Sequence, residues 1–148
     1  MSRHSIAFTL LLALAASGCA NTYKGPGVAD LPRSQISILQ NNGDLGLNGL
    51  NILEVDGRHR GAGFIRTYEL APGKHRIKFE WLGYGWRLQK GSNMVELEFT
   101  AAPARTYEIK FSLTRTEFDK GVFRSWIEDV ATRQSVSSIV EQATPPPK

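Results

Sequence analysis

Between Tyr107 and Leu113 the chain reads Tyr-Glu-Ile-Lys-Phe-Ser-Leu, an unbroken alternation of apolar and polar residues. Successive side chains of an extended strand point to opposite faces, so Tyr107, Ile109, Phe111 and Leu113 share one face and Glu108, Lys110 and Ser112 the other. On a helix the same residues would scatter around the axis. The period recurs in His75–Trp81, where Ile77, Phe79 and Trp81 oppose Arg76, Lys78 and Glu80, and in Val95–Phe99, where Val95, Leu97 and Phe99 oppose Glu96 and Glu98. Weaker candidates are 35–39, 50–55, 63–70 and 122–130, the last rich in β-branched and aromatic residues but less regular. Turn chemistry separates them. Asp56-Gly57 is a tight-turn dipeptide, Pro72-Gly73 suits the two central positions of a type II turn, and Lys90–Asn93 and Asp119–Gly121 close two further hairpins. Strands with one polar face each favour antiparallel pairing. The expected fold is therefore all-β, a single antiparallel β-sandwich of about seven short strands. Only 135–142 leaves room for a helix, and a short one.

Both ends of this region change character. Residues 20–33 carry Gly25, Pro26, Gly27 and Pro32 with no apolar period, which reads as a flexible tether or, alternatively, as an irregular first strand. Ala143-Thr-Pro-Pro-Pro-Lys148 favours an extended polyproline conformation and is expected to be a Pro-rich tail. The domain is thus placed at 34–142 and the tail at 143–148. With 41% hydrophobic and 22% charged residues the chain is close to globular averages and has the means to bury a core. The net charge of +4 is small, and basic residues alternate with acidic ones. The footprint of a nucleic-acid binder is missing.

The N-terminus has a different organisation. Arg3 and His4 precede an apolar run, Ile6–Ala16, whose helical length of about 16 Å falls well short of a hydrocarbon core of about 30 Å. It has the polarity of a signal peptide rather than of a permanent span. The run ends in Ala16-Ser17-Gly18-Cys19, which contains the single Cys of the chain, so no internal disulfide can form. This ending resembles the lipobox of bacterial lipoproteins. The resemblance implies that residues 1–18 are a signal peptide, that the Cys19 sulfur receives diacylglycerol, and that Cys19 becomes the first residue of a lipidated tether, 19–33. A residue other than Asp after the Cys, here Ala20, implies in enterobacterial members of that family an outer-membrane location. An ordinary signal peptide followed by an incidental Cys is the alternative.

A second resemblance lies in Val55-Asp-Gly57, Leu70-Ala-Pro-Gly-Lys-His75 and Gly83-Tyr84. The stretch from about Leu50 to Leu113 is similar to small bacterial β-sandwich modules of the PEGA type. That likeness implies an envelope-associated extracytoplasmic domain.

Residues that could carry chemistry are sparse. His59 and His75 have no metal-ligand spacing around them, and His75, at the start of a strand, reads as a partly buried ring bonding the turn backbone. Asp56 reads as a turn residue. Glu96 with Glu98 reads as a solvated strand face, and Glu128 with Asp129 as a strand end. There is no nucleophile elbow, phosphate loop or zincin motif. The expectation is a protein without cofactor or metal that is not an enzyme. Two features bear on binding. Trp81-Leu-Gly-Tyr-Gly-Trp86 sets Trp81, Tyr84 and Trp86 around two glycines, either as an exposed contact for sugars, peptides or a partner, or as residues closing the core. Arg58, Arg60 and Arg66 form the densest basic cluster, facing lipid headgroups, anionic glycan or an acidic partner, or simply solvated. The sequence thus supports a lipid-anchored envelope module with a membrane contact through Cys19, a protein partner in the envelope and no nucleic acid. Glycan or small-ligand binding is the rival.

Overall fold

The computed structural model describes residues 22–41, 49–61, 65–82, 94–115 and 121–143. Cys19, Tyr84 and Trp86, the Lys90–Asn93 turn, and most of the Pro-rich tail lie outside them. The described residues form β1 (Thr22–Lys24), β2 (Ser37–Gln40), β3 (Gly49–Val55), β4 (Arg58–His59), β5 (Thr67–Leu70), β6 (Gly73–Leu82), β7 (Met94–Ala101), β8 (Thr106–Arg115), β9 (Gly121–Asp129) and β10 (Val140–Ala143), with one 3₁₀ turn at Arg33–Gln35. Two sheets result, a six-stranded one in the order β1-β5-β2-β8-β9-β10 and a four-stranded one in the order β4-β3-β6-β7.

All seven expected strands are present, and the all-β reading holds. The count of about seven does not, and neither does purely antiparallel pairing. β1 runs parallel to β5, and β2 parallel to β8. Alternation reports which face of a strand is apolar and is silent on the direction of its neighbour. Between β2 and β8 the chain builds the whole four-stranded sheet and returns in the direction in which it left.

The three additional strands are short and lack the period-two signal. β4 extends the hairpin from β3, and both its residues are exposed. Its turn is as expected for Asp-Gly: Asp56 and Gly57 adopt φ of 53° and 75°, the positive pair of a two-residue hairpin whose twist suits the flanking strands. β10 replaces the short helix considered for 135–142. Ser135 bridges Glu128, Ser137 bridges Phe99, and β10 pairs with β9. The open edge of β9 supplies hydrogen-bond partners along the strand, and β-branched Val136, Ile139 and Val140 suit an extended backbone.

β1 corrects the tether reading for its described part. Tyr23 pairs with Tyr68, and the Gly25 N–H donates to Glu69 O at 2.9 Å. A Cβ at Gly25 would lie 3.0 Å from that same oxygen, so glycine is what permits the approach. Val28 is buried. From Thr22 onward this segment belongs to the fold.

Buried residues of both sheets meet in one hydrophobic cluster that includes Leu39, Tyr68, Ile109, Phe123 and Ile127 from one sheet and Ile52, Ile77, Phe79 and Leu97 from the other. β7 alternates buried and exposed along its whole length. β8 is less regular than its sequence suggests. Tyr107 and Ile109 are buried, whereas Phe111 and Leu113 are only partly so. β2 flanks β8 only along Thr106–Glu108, so beyond that point β8 lacks a described neighbour on one side. On the opposite face Glu108 is 15% exposed and tied to Lys110 at 2.6 Å, because Gln40 and Glu128 flank it on the adjacent strands. That polar face is half-covered rather than freely solvated.

Candidate functional site

A bulge prepares the most organised polar cluster. Pairing of β3 with β6 shifts between Ile52 and Glu54, which changes the parity of the strand, so that Ile52 and Val55 are both buried although three positions apart. Asp56 then stands at the hairpin turn facing β6. Its Oδ1 accepts the Arg76 N–H at 2.9 Å, and its Oδ2 lies 2.8 Å from His75 Nδ1. His75 Nε2 lies 2.6 Å from Ala71 O. Both ring neighbours are acceptors, so the ring spans two turns, the β3–β4 hairpin and the entry to β6. The ring is 8% exposed and packs against Phe99 at a centroid distance of 6.0 Å.

The ring borders an open groove of about 670 Å³. One wall is β6 and β7, with Lys74, Arg76, Glu98 and Thr100, and the other is the crossing segment Ser135–Ser138. Histidine, aspartate and serine therefore share one depression, yet the contacts do not form a catalytic relay. General-base activation of a serine needs a ring nitrogen within hydrogen-bond reach of the hydroxyl. Here Nε2 faces a backbone carbonyl. The Ser135 hydroxyl donates to Ser137 O at 2.8 Å, and the Ser137 hydroxyl donates to Ser138 O at 2.9 Å while accepting the Ile127 N–H at 2.8 Å. These contacts tie the crossing segment to β9. The reading of His75 as a ring bonding turn backbone is borne out; its partnership with Asp56 was not legible, because the bulge that aims Asp56 leaves no mark in the sequence.

The other candidate residues separate. Trp81 is 4% exposed and stacks on Phe123 at 4.9 Å with 21° between the rings. It is a core residue, which corrects its place in an exposed aromatic loop; the alternation of β6 carries it inward. Tyr84 and Trp86 lie outside the described residues. Arg58 is exposed, whereas Arg60 is half-buried and donates from Nη2 to Asn51 Oδ1 at 2.6 Å. Arg60 thereby joins a polar ladder on the outer face of the four-stranded sheet, in which Asn51 donates to Glu80, Lys78 pairs with Glu54, and Arg76 with Glu96.

Asp129 and Tyr68 are perturbed. Asp129 ends β9, the strand end expected for it, and is buried there. Its Oδ1 accepts the N–H groups of Thr132 and Ala131 at 3.0 and 2.9 Å. The Thr132 N–H above all, then that of Ala131 and the charge of Arg105, hold its carboxyl below the ordinary value against the opposing effect of burial. Tyr68 is fully buried, and burial pushes its phenol up to about 12. Its hydroxyl has no hydrogen-bond partner among the described residues. Among the described residues no three His, Cys, Asp or Glu side chains gather as metal ligands would.

Compared with protein-family models, curated proteins and solved structures, the chain gives no significant match.

Proposed function

We propose that this protein is a lipid-anchored module of the bacterial cell envelope, held at the outer membrane through Cys19, whose two sheets pack as a β-sandwich and serve a non-enzymatic interaction or accessory role. The observation that carries the proposal is the passage from Arg3 through the apolar run to Ala16-Ser17-Gly18-Cys19, the order of parts that export and acylation require. Two acyl chains at about 0.8 kcal/mol per buried CH₂ suffice for stable attachment. The occupied ring nitrogens of His75 and the engaged serine hydroxyls support a role other than catalysis. Burial of Trp81 weighs against the rival glycan reading, which then rests on Tyr84 and Trp86 alone.

Replacing Cys19 with Ser tests the anchor. The thiolate is the nucleophile in acylation, and a hydroxyl is a poor substitute. Cells fed labelled palmitate are expected to label the parent and not the variant, and the variant is expected to keep its uncut size. Equal labelling of the two would overturn the assignment. Capture of partners from detergent-solubilised membranes then separates a protein-binding module from a glycan binder.

A further inference from the structure

We infer that Arg58, Arg66 and Lys24 form the face by which the domain lies against an anionic lipid bilayer. The inference rests on the anchored reading above and adds to it an orientation.

Chain length sets the first constraint. Only three peptide steps separate Cys19 from Thr22, the first residue of β1, and fully extended they span about 11 Å at most. A domain of this size is roughly 30 Å or more across. A lipid on Cys19 therefore brings to the membrane the side of the fold on which β1 begins, and the opposite side cannot reach it.

The register says what that side carries. Thr22 pairs with Thr67, so Arg66 stands beside the point where the chain enters the fold, and Lys24 is on β1 itself. The Tyr23 ring packs on Tyr68 at 5.6 Å. Arg58 lies near enough for its charge to act on the Tyr23 hydroxyl, as Arg60 does on that of Tyr68. The edges β1 and β4 of the two sheets thus lie on one side of the molecule.

Charge pairing distinguishes this side from the rest. Arg76, Lys78, Arg105, Lys110, Arg124 and Arg133 each have a carboxylate partner. Lys24, Arg58 and Arg66 are exposed and form no ion pair among the described residues; Arg33 and Lys74 are the other exposed cations of which this is true. The acids nearby are largely committed. Glu54 is shared by Lys78 and His59, and Asp56 by His75 and the Arg76 N–H, leaving Glu69, half-buried opposite Lys24. A basic residue held near an anionic leaflet favours the docked state about fivefold. Three of them on the tethered side fix an orientation that the lipid alone leaves free.

The experiment uses the lipidated chain reconstituted in vesicles of phosphatidylcholine alone or mixed with phosphatidylglycerol. The only native thiol is Cys19, blocked by its lipid, so His59→Cys or Gln134→Cys takes a fluorophore at one site. His59 is 83% exposed on β4, whereas Gln134 follows β9, four strand positions from β1. With a quencher on the lipid headgroups, the label at 59 is expected to be quenched several-fold more than that at 134 in anionic vesicles. In neutral vesicles or high salt the difference is expected to shrink. Reversing both arginines, Arg58→Glu with Arg66→Glu, is expected to lower the docked-to-free ratio by more than about 25-fold, since each loss counts about fivefold. Arg124→Glu, on β9 beside the far edge strand β10, is expected to leave it unchanged. The milder Arg58→Gln with Arg66→Gln is expected to act in the same direction, and serves should the reversal fail to fold by circular dichroism. Equal quenching at the two sites in anionic vesicles, with palmitate present on Cys19, overturns the inference and leaves the anchor standing. Absence of lipid on Cys19 overturns both.

Discussion

The bridge from Asp56 through His75 to Ala71 is open to a double-mutant cycle. His75→Phe keeps a ring against Phe99 but removes both nitrogens, one 2.8 Å from Asp56 Oδ2 and the other 2.6 Å from Ala71 O. Asp56→Gly removes the carboxylate while tolerating the φ of 53° at that position. A hydrogen bond to a charged group contributes about 1.5 to 3 kcal/mol and a neutral one about 1. Asp56 is 28% exposed, so water replaces part of what is lost and the lower end of the range applies. His75→Phe is accordingly expected to cost about 2 to 3 kcal/mol for the two contacts together. Asp56→Gly is expected to cost about 2 to 3 kcal/mol as well, because the acceptor for the Arg76 N–H goes with the contact to His75. The coupling between the two positions is expected at about 1.5 kcal/mol, since each single variant already loses the shared contact. Urea titrations of the parent, the two single variants and the double variant give these values, provided the slopes agree. Additivity to within about 0.5 kcal/mol would refute the reasoning. His75 would then be a packed ring with no hold on the hairpin.

Burial and charge lead to three more expectations. Ile109→Ala is expected to cost about 3 to 4 kcal/mol by chemical denaturation and Phe111→Ala about 2, because Ile109 is 3% exposed while Phe111 is only partly buried. The reverse order would show that the strand stays buried past the end of β2. Asp129 is held below its ordinary 3.8, so its contribution to stability is present above that pH and is lost as pH falls through the folded-state value. Asp129→Asn is expected to flatten the acid side of the stability profile; an unchanged profile would count against the turn cap. Tyr68 is raised to about 12 by burial, so it adds no pH dependence below pH 10, where the phenol is neutral folded and unfolded alike, and stability falls as pH rises from 10 toward 12. Tyr68→Phe removes a buried hydroxyl that has no partner among the described residues and is expected to be neutral or stabilising by about 1 kcal/mol, whereas a loss of that size would reveal a bond to the hydroxyl.

Local chemistry decided a good deal. Alternation located β6, β7 and β8 because a strand half-covered by a core needs an apolar and a polar face, and both are written in adjacent residues. Asp56-Gly57 announced its turn because few other pairs tolerate two positive φ angles in succession. The proposed export and acylation rest on the residues from Arg3 to Cys19 alone, since neither step depends on how the rest of the chain folds.

What the sequence left open are choices made between distant parts of the chain. Tyr23 could not be seen to dock on Tyr68, nor β2 beside β8, because hydrogen bonding between strands uses backbone groups that every residue carries. Segment 135–142 left room for a short helix; the unfilled edge of β9 drew its end into β10 and held Ser135 by a single bridge. Trp81 and Tyr84 stood in one aromatic run; the alternation of β6 put Trp81 on the apolar face, and the stack on Phe123 decides between core and exposed contact for it. The bulge at Leu53 is the clearest case. It turns one residue of β3 out of register with β6, buries Val55 and aims Asp56 at His75, and nothing in Leu50–Asp56 distinguishes a bulged strand from a regular one. Side-chain polarity fixes the faces of a strand locally, whereas partner, direction and register are settled only when the two sheets close on a common core.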